Sequence, residues 1–189
     1  GHRRLAIVNP KADHTMFALR DHGFRETATA HKATVACFSN RRGAHGGFPI
    51  QPIMNVADVQ PLVDALLSER PIPTAIFCPA DSIAAVAYRA IASRGLKPGT
   101  DIAIVSCNNE RSLVAGLWPA LATIDIHSRQ IGRLAVRQLT RRITGEFDGS
   151  AVTIEVKPTL LPAASLAPPR REPDAGQQPA RRRRPAGRT

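Results

Sequence analysis

Two polar stretches carry side chains of this chain that could bind or transform a small molecule. They are Cys78–Asp81 and Ser106–Asn109, and each directly follows a short apolar run. The Asp81 carboxylate and the Cys107 thiol could serve as a base or a nucleophile, whereas the Asn108 amide can both donate and accept hydrogen bonds. The residue types therefore point either to ligand recognition or to catalysis.

The apolar runs before these stretches, and the segment between them, predict a βαβ unit. Thr74–Cys78 and Ile102–Val105 have the composition of short buried strands, and apolar residues recur at helical spacing from Asp81 onward. Gly95 and the Pro-Gly pair after it predict where the helix ends. Ligands bind beyond the carboxyl ends of parallel strands, so both polar stretches lie at the predicted binding edge. Asp81 is equally well placed to cap the helix.

The same region is similar to a known family of proteins. Residues Pro73–Asn109 read PTAIFCPADSIAAVAYRAIASRGLKPGTDIAIVSCNN, which resembles the signature segment of the sensor domain of LacI/GalR-type bacterial transcriptional regulators. Three further segments resemble motifs of that family: GHRRLAIVNP at the N-terminus, LRDHGF, and WPALATIDIHSRQIGRLAVRQLTRRITG. The resemblance covers about residues 1–162, and several ordered motifs are far more specific than any single one.

The resemblance implies an α/β fold of the periplasmic-binding-protein-like type I, a Rossmann-like parallel sheet with helices on both faces. In that fold two lobes enclose the ligand, and the chain crosses between them three times. On this pattern residues 1–118 are most of the C-terminal lobe, residues 119–147 are a strand and helix of the N-terminal lobe, and residues 148–162 are a returning strand of the C-terminal lobe. The rest of the N-terminal lobe and a DNA-binding headpiece are expected outside the 189 residues.

The resemblance also assigns ligand contacts by position, to Arg20, Met54, Ala80 and Asn108, with Asp81 adjacent. Arg20 matches the ligand-binding arginine of the family and offers a planar fork of donors. Met54 stands where the family often has an aromatic residue that packs on the ligand. The family's Asn before Asp is Ala80 here, and the first Asp of its second motif is Asn108. Hydroxyl recognition by an amide survives these departures, but one negative charge is lost.

The remaining segments predict further helices and strands. We expect a helix over His14–Ala30, a helix over Val59–Glu69, a strand over Ala122–Ile126, a helix over Ser128–Thr144 and a strand over Val152–Val156. Residues 31–50 show no clear strand and are expected to include a Gly-rich surface loop. The predicted buried residues of the first helix are Met16, Leu19, Gly23, Phe24 and Thr27, with Gly23 at a close packing contact. An apolar face containing Ile131, Leu134 and Ile143 would lack its partner in this chain and favour self-association.

Composition limits the cellular setting. The net charge is +11, and the Pro/Arg-rich residues 163–189 are expected to be a disordered tail, because they cannot bury enough apolar surface. That tail is either a solvated extension or a non-specific contact to nucleic-acid phosphates.

Three cysteines without a CxxC pair predict reduced thiols and a cytoplasmic protein. No apolar run of about 18 residues predicts a membrane span.

Three functions are compatible with these patterns. The favoured one is the effector-sensing domain of a LacI/GalR-type regulator, which binds a small sugar, polyol or nucleoside and, as a homodimer, modulates DNA binding by the missing headpiece. The second is a periplasmic-type solute-binding protein for a sugar, which shares the fold. The third is an enzyme with a strand-end Asp or Cys. The sequence lacks GxSxG, GxGxxG and metal-ligand spacings, so we expect no cofactor, no metal and no catalytic residue.

Overall fold

The computed structural model describes residues 1–40, 56–146 and 149–169. Within these ranges the elements are, in chain order, β1 Arg4–Asn9, α1 Thr15–Ala30, β2 Thr34–Ser39, α2 Val56–Ser68, β3 Ala75–Cys78, α3 Asp81–Ser93, β4 Ala103–Cys107, α4 Arg111–Val114, β5 Ala122–Asp125, α5 Ser128–Ile143 and β6 Thr159–Leu161.

The described strands form one six-stranded sheet in the order β2-β1-β3-β4-β5-β6. β1 to β5 pair in parallel, and β6 is antiparallel to β5. The predicted βαβ unit is present as β3, α3 and β4, so the predicted α/β class is confirmed. β2 is a strand that the sequence does not predict. Because neighbouring strands are parallel, the ends of β3, β4 and β5 meet at one edge of the sheet.

Side chains of the central strands alternate between two apolar layers. Val8, Ile76 and Ile104 lie in the larger cluster, to which α2 and α3 contribute most of the helical residues. Ile7, Phe77 and Cys107 lie in a smaller cluster against which Phe24 of α1 packs. The rings of Phe24 and Phe77 are stacked with their centroids 4.7 Å apart. The sheet is thus covered by helices on both faces.

The predicted core face of α2 is confirmed. All of its members are buried: Val59, Leu62, Val63, Leu66 and Leu67. Burial of such a side chain contributes about 1.5–3 kcal/mol, so this face anchors α2 to the sheet. Throughout the described ranges, every helix is too short or too polar to cross a bilayer.

The predicted buried face of α1 is wrong except at Phe24, which packs against the smaller cluster. Leu19 is 67% exposed and Gly23 is exposed, whereas Phe17, Asp21 and Ala28 are buried. Asp21 tolerates burial because Arg25, one turn later, pairs with it at 2.6 Å. The predicted close contact at Gly23 is also absent, since a Cβ added there would meet nothing within 4 Å.

The strand of residues 119–147 lies in the same sheet as residues 1–118, which differs from the expectation that it belongs to the other lobe. β5 pairs with β4 over Val105–Cys107 and Ala122–Ile124, since Ala122 and Thr123 are buried there. The helix of this segment is different, because α5 has no buried residue. Its membership of a second lobe remains a prediction. Val152–Val156 forms no strand, and the returning strand is β6.

The first residues of the predicted disordered tail belong to the folded part. Ser165 is fully buried, and its hydroxyl donates to the Ile104 carbonyl at 2.7 Å and accepts from the Ala122 amide at 2.8 Å. The Ile104 amide donates to the Ser165 carbonyl at 2.9 Å. Residues 163–169 therefore link β4 to β5, and the predicted start of the tail at residue 163 is wrong. Residues 170–189 lie outside the described part.

Candidate functional site

The candidate site is the edge of the sheet at which β3, β4 and β5 end. β3 is followed by Pro79, Ala80 and Asp81, β4 by Asn108 and Asn109, and β5 by Ile126 and His127. Because β3, β4 and β5 are neighbours in the sheet, these turns lie side by side. The predicted binding edge is therefore an edge of three adjoining turns.

The buried side chain of Asp81 connects the neighbouring segments of this edge through hydrogen bonds. Its carboxylate is fully buried and accepts hydrogen bonds from the Ser106 hydroxyl, from the Thr123 hydroxyl at 2.7 Å and from the Glu110 amide at 2.7 Å. Its donors come from the end of β4, from β5 and from the loop before α4. Three hydrogen bonds thus converge on one buried carboxylate, which satisfies its oxygens within the protein. Asp81 therefore links the turn after β3 to β4, to β5 and to the loop before α4, and its oxygens are engaged by protein donors.

Arg20 reaches the same edge from α1. Its half-buried guanidinium donates a hydrogen bond to the Pro79 carbonyl. Arg20 also acts electrostatically on the Cys107 thiol: burial raises the pKa of Cys107 to about 11, and the positive charge of Arg20 opposes that rise. The arginine selected by its position in the sequence is therefore close to the ends of both β3 and β4.

Ala80 and Met54 contribute differently. Ala80 is only 4% exposed and is the extended residue that precedes α3, where no side chain caps the helix. Its methyl group offers a ligand no hydrogen bond. Met54 lies outside the described residues, so its predicted contact has no structural counterpart here.

Asn108 and Asn109 form a sharp turn after β4. Both have positive φ, at 113° and 56°, a conformation in which asparagine is enriched. The Asn108 amide donates to the Glu110 carboxylate at 3.0 Å, and the Asn109 amide donates to the Asp125 carboxylate at 2.9 Å. This turn directs two amide side chains out of the sheet edge rather than into its faces.

A pocket of about 350 Å³ opens between this turn and the start of α5. Its wall is almost entirely polar and consists of Asn108, Asn109, Arg111, Asp125, His127, Ser128, Arg129, Gln130 and Arg133. Of the predicted ligand residues, Asn108 belongs to this wall, whereas Arg20, Ala80 and Asp81 do not. The structure thus brings these four residues to one edge, but only Asn108 to the pocket.

Asp125 and His127 fix the side of the pocket formed by β5. The backbone amide of His127 donates to the Asp125 carboxylate at 2.7 Å, and this bond, with that from Asn109, lowers the pKa of Asp125. The imidazole contacts Asp125 at 3.7 Å and Thr159 of β6 at 2.9 Å. These residues were missed from sequence because the strand-end rule was applied to β3 and β4 only. The same rule applied to β5 would have selected them.

The described residues offer little support for nucleophilic or metal chemistry at this edge. Burial raises the pKa of the Cys78 thiol strongly and that of Cys107 to about 11, which disfavours the thiolate needed for attack. No group of three or more His, Cys, Asp or Glu in the described ranges is arranged to hold a metal ion. The arrangement is suited to hydrogen bonding of a polar ligand.

The chain belongs to the periplasmic binding protein-like domain family, whose pattern matches residues 1–166. That range ends within the segment that carries Ser165, so the match covers nearly all of the described fold. The predicted resemblance to the effector-sensing domain of LacI/GalR-type regulators is confirmed by the relatives that follow.

Curated relatives are bacterial repressors. The chain is 30% identical to the HTH-type transcriptional repressor PurR of Aliivibrio fischeri over 168 residues, which are 88% of this chain and 47% of that protein. It is 34% identical to the ribose operon repressor of Haemophilus influenzae over 104 residues, 55% of this chain and 31% of that protein. The chain therefore spans about half the length, or less, of these relatives.

Solved structures of transcriptional regulators share the fold. A LacI family transcriptional regulator from Bifidobacterium animalis subsp. lactis superposes with a TM-score of 0.75 at 22% identity, covering 90% of this chain and 57% of that chain. The transcriptional regulator CelR in complex with cellobiose gives a TM-score of 0.70 at 22% identity, covering 87% of this chain and 47% of that chain. At this identity the likeness establishes the fold.

Proposed function

We propose that this chain is a major part of the effector-sensing domain of a LacI/GalR-type transcriptional regulator. The single observation that supports this most is that the ends of β4 and β5 form the wall of a polar pocket and the end of β3 lies beside β4 in the same sheet, in a chain whose curated relatives are repressors. A binding function also fits the suppressed thiol chemistry of the site better than catalysis does. The proposed ligand is a small sugar-like molecule or a nucleoside.

The binding edge supplies three kinds of contact to such a ligand. Arg20 presents a half-buried guanidinium next to Pro79, and Asn108 presents an amide that can match a hydroxyl group in either direction. Asp81 has its oxygens engaged by protein donors, so its proposed role is to position Ser106 and Thr123 beneath the ligand. Met54 and Ala80 are proposed as apolar contacts to the ligand only because their positions in the sequence match ligand-contacting positions of the family.

Signal transmission would use the chain that leaves the pocket. α5 begins at the pocket wall and has no buried residue, as expected of a helix that packs on a second lobe. A ligand held between the lobes would favour one lobe arrangement and thereby change DNA affinity. On this proposal DNA is bound by a headpiece outside these residues, in a cytoplasmic homodimer.

The test is ligand-induced stabilisation of the natural full-length protein. Ribose, cellobiose and purine nucleosides would be screened by thermal shift with the wild type, with Arg20→Ala and with Arg89→Ala. Arg89 is an exposed arginine in the second half of α3, about two helical turns from the binding edge, and is therefore the control. We expect a stabilising ligand whose effect is lost in Arg20→Ala and kept in Arg89→Ala.

A ligand that stabilises both arginine variants as well as the wild type would place the binding site away from Arg20. If none of these compounds, and no other sugar or nucleoside, stabilises the protein, the result would count against sensing of such a ligand at this edge.

A further inference from the structure

The pocket between the turn after β4 and the start of α5 has an unusual balance of charge. The residues of its wall include three arginines, Arg111, Arg129 and Arg133, but one acidic residue, Asp125. Most hydroxyl-rich ligands need donors and acceptors in similar numbers, whereas arginine supplies donors only. A wall with this excess of cationic donors favours a ligand that carries negative charge.

The one carboxylate in the wall does not neutralise this excess. Asp125 already accepts hydrogen bonds from the His127 amide at 2.7 Å and from the Asn109 side chain at 2.9 Å. The charge of Arg111 contributes to the lowered pKa of Asp125, so these two groups compensate each other in part. Arg129 and Arg133 have no such partner in the wall.

The positions of Arg129 and Arg133 are electrostatically unfavourable without an anion. They stand four residues apart on α5 and therefore lie one above the other on one face, where like charges repel. Arg129 is in the first turn of the helix, whose dipole disfavours a cation. Neither side chain forms a hydrogen bond or ion pair with another residue of the described ranges. Both residues instead line the pocket.

We propose that the effector carries an anionic group, a phosphate or a carboxylate on a polyol or sugar, and that Arg129 and Arg133 bind this group. The inference rests on the proposed function, because it names the chemical class of ligand for the same site. The neutral part of the ligand would lie toward Asn108 and the ends of β3 and β4. Two guanidinium groups one turn apart can hold a phosphate or carboxylate by charge-assisted hydrogen bonds.

The experiment compares neutral ligands with their anionic derivatives. Isothermal titration of the natural full-length protein at physiological salt would use ribose against ribose 5-phosphate, glucose against glucose 6-phosphate, and glucose against gluconate. The phosphate and carboxylate arms separate the two sources of negative charge. We expect one anionic compound to bind at least about tenfold more tightly than its neutral parent, because charge-assisted hydrogen bonds are the stronger kind.

Variants connect the preference to the two arginines. Arg129→Gln/Arg133→Gln should abolish the anionic preference, whereas Arg137→Gln should retain it. Arg137 is exposed on the same helix but is outside the pocket wall, so Arg137→Gln matches the charge lost in each of the single variants Arg129→Gln and Arg133→Gln. All three positions are exposed, and the single variants Arg129→Gln and Arg133→Gln provide a second measurement if the double variant is unstable.

The outcomes separate the inference from the function on which it rests. Equal binding of a neutral sugar and its anionic derivative, or a preference that survives in Arg129→Gln/Arg133→Gln, would overturn the inference and leave effector sensing intact. Binding of neither neutral nor anionic compounds would overturn the proposed function and the inference together.

Discussion

At the residue scale, the carboxylate of Asp81 is the shared acceptor for donors from three parts of the chain. The hydroxyl groups of Ser106 and Thr123 and the amide of Glu110 all point at it. Two of these donors are side chains that are themselves buried. Without the carboxylate they would be left without an acceptor, and an unsatisfied buried donor costs about 1–3 kcal/mol.

We therefore predict that Asp81→Ala lowers the free energy of unfolding by about 2–4 kcal/mol, since it removes the acceptor of several donors at once. Urea denaturation followed by circular dichroism measures this change. Asp13→Ala, at an exposed aspartate in the loop before α1, is the control and should change stability by less than about 0.5 kcal/mol. Equal effects of the two substitutions would show that the Asp81 cluster is not structural.

The sequence predicts part of this site for an identifiable reason. Asp81 and Asn108 follow apolar runs that read clearly as strands, so the strand-end rule finds them. The partnership of Asp81 with Thr123 depends on β5 lying next to β4, which local sequence does not encode. The placement of Asp125 and His127 in the pocket wall depends on the same strand order and on the path of the chain into α5.

At the element scale, the return of residues 163–169 past the start of β4 depends on close packing at Gly99. This glycine is buried, has φ of 75°, and a Cβ added to it would lie 2.3 Å from the Ala164 carbonyl oxygen. Gly95 has the same φ of 75°, but a Cβ there would meet nothing within 4 Å. Alanine substitution at Gly95 therefore measures backbone strain alone, whereas substitution at Gly99 adds a steric clash.

We predict that Gly95→Ala destabilises the protein by about 1–2 kcal/mol, which is the cost of a left-handed conformation. Gly99→Ala should cost roughly 1–3 kcal/mol more, because the backbone of residues 164 and 165 must also move. Urea unfolding of both variants measures the difference. Equal costs would mean that residues 163–169 do not pack against this turn in solution.

Helices and strands differ in how far the sequence specifies them. α2 and α3 were predictable because their apolar residues form one continuous stripe. α1 was not, because Leu19 is exposed while Asp21 is buried through its pair with Arg25. The periodicity of apolar residues cannot predict that a carboxylate is buried because it forms an ion pair. β2 was missed because it is an edge strand in which no residue is fully buried, so its alternation is weak.

At the scale of the whole molecule, α5 exposes an apolar face. Ile131, Leu139 and Ile143 are 45%, 59% and 77% exposed, and a groove of about 270 Å³ with an apolar lining separates α5 from residues 152–156. Contiguous exposed apolar surface of this kind favours association. The exposed patch expected from sequence is present, and its effect on assembly remains a prediction.

We predict that the 189-residue chain self-associates in a concentration-dependent way, as measured by sedimentation velocity. Leu139→Glu/Ile143→Glu should shift the distribution toward monomer, because it places charge on the apolar face. Leu19→Glu, at a similarly exposed leucine on α1, should leave the distribution unchanged. A monodisperse wild-type monomer over a wide range of concentration would contradict this prediction.

The central claim is that ligand binding at the strand-end edge controls DNA binding. The most direct measurement is the affinity of the natural full-length protein for DNA from upstream of its own gene, by fluorescence anisotropy, with and without a saturating ligand that stabilises it. We predict that the ligand changes the Kd by roughly 5- to 150-fold, the range of allosteric coupling, and that Arg20→Ala removes this change. A DNA affinity that is unaffected by a saturating ligand, or no specific DNA binding at all, would contradict the claim and favour a solute-binding protein of the same fold.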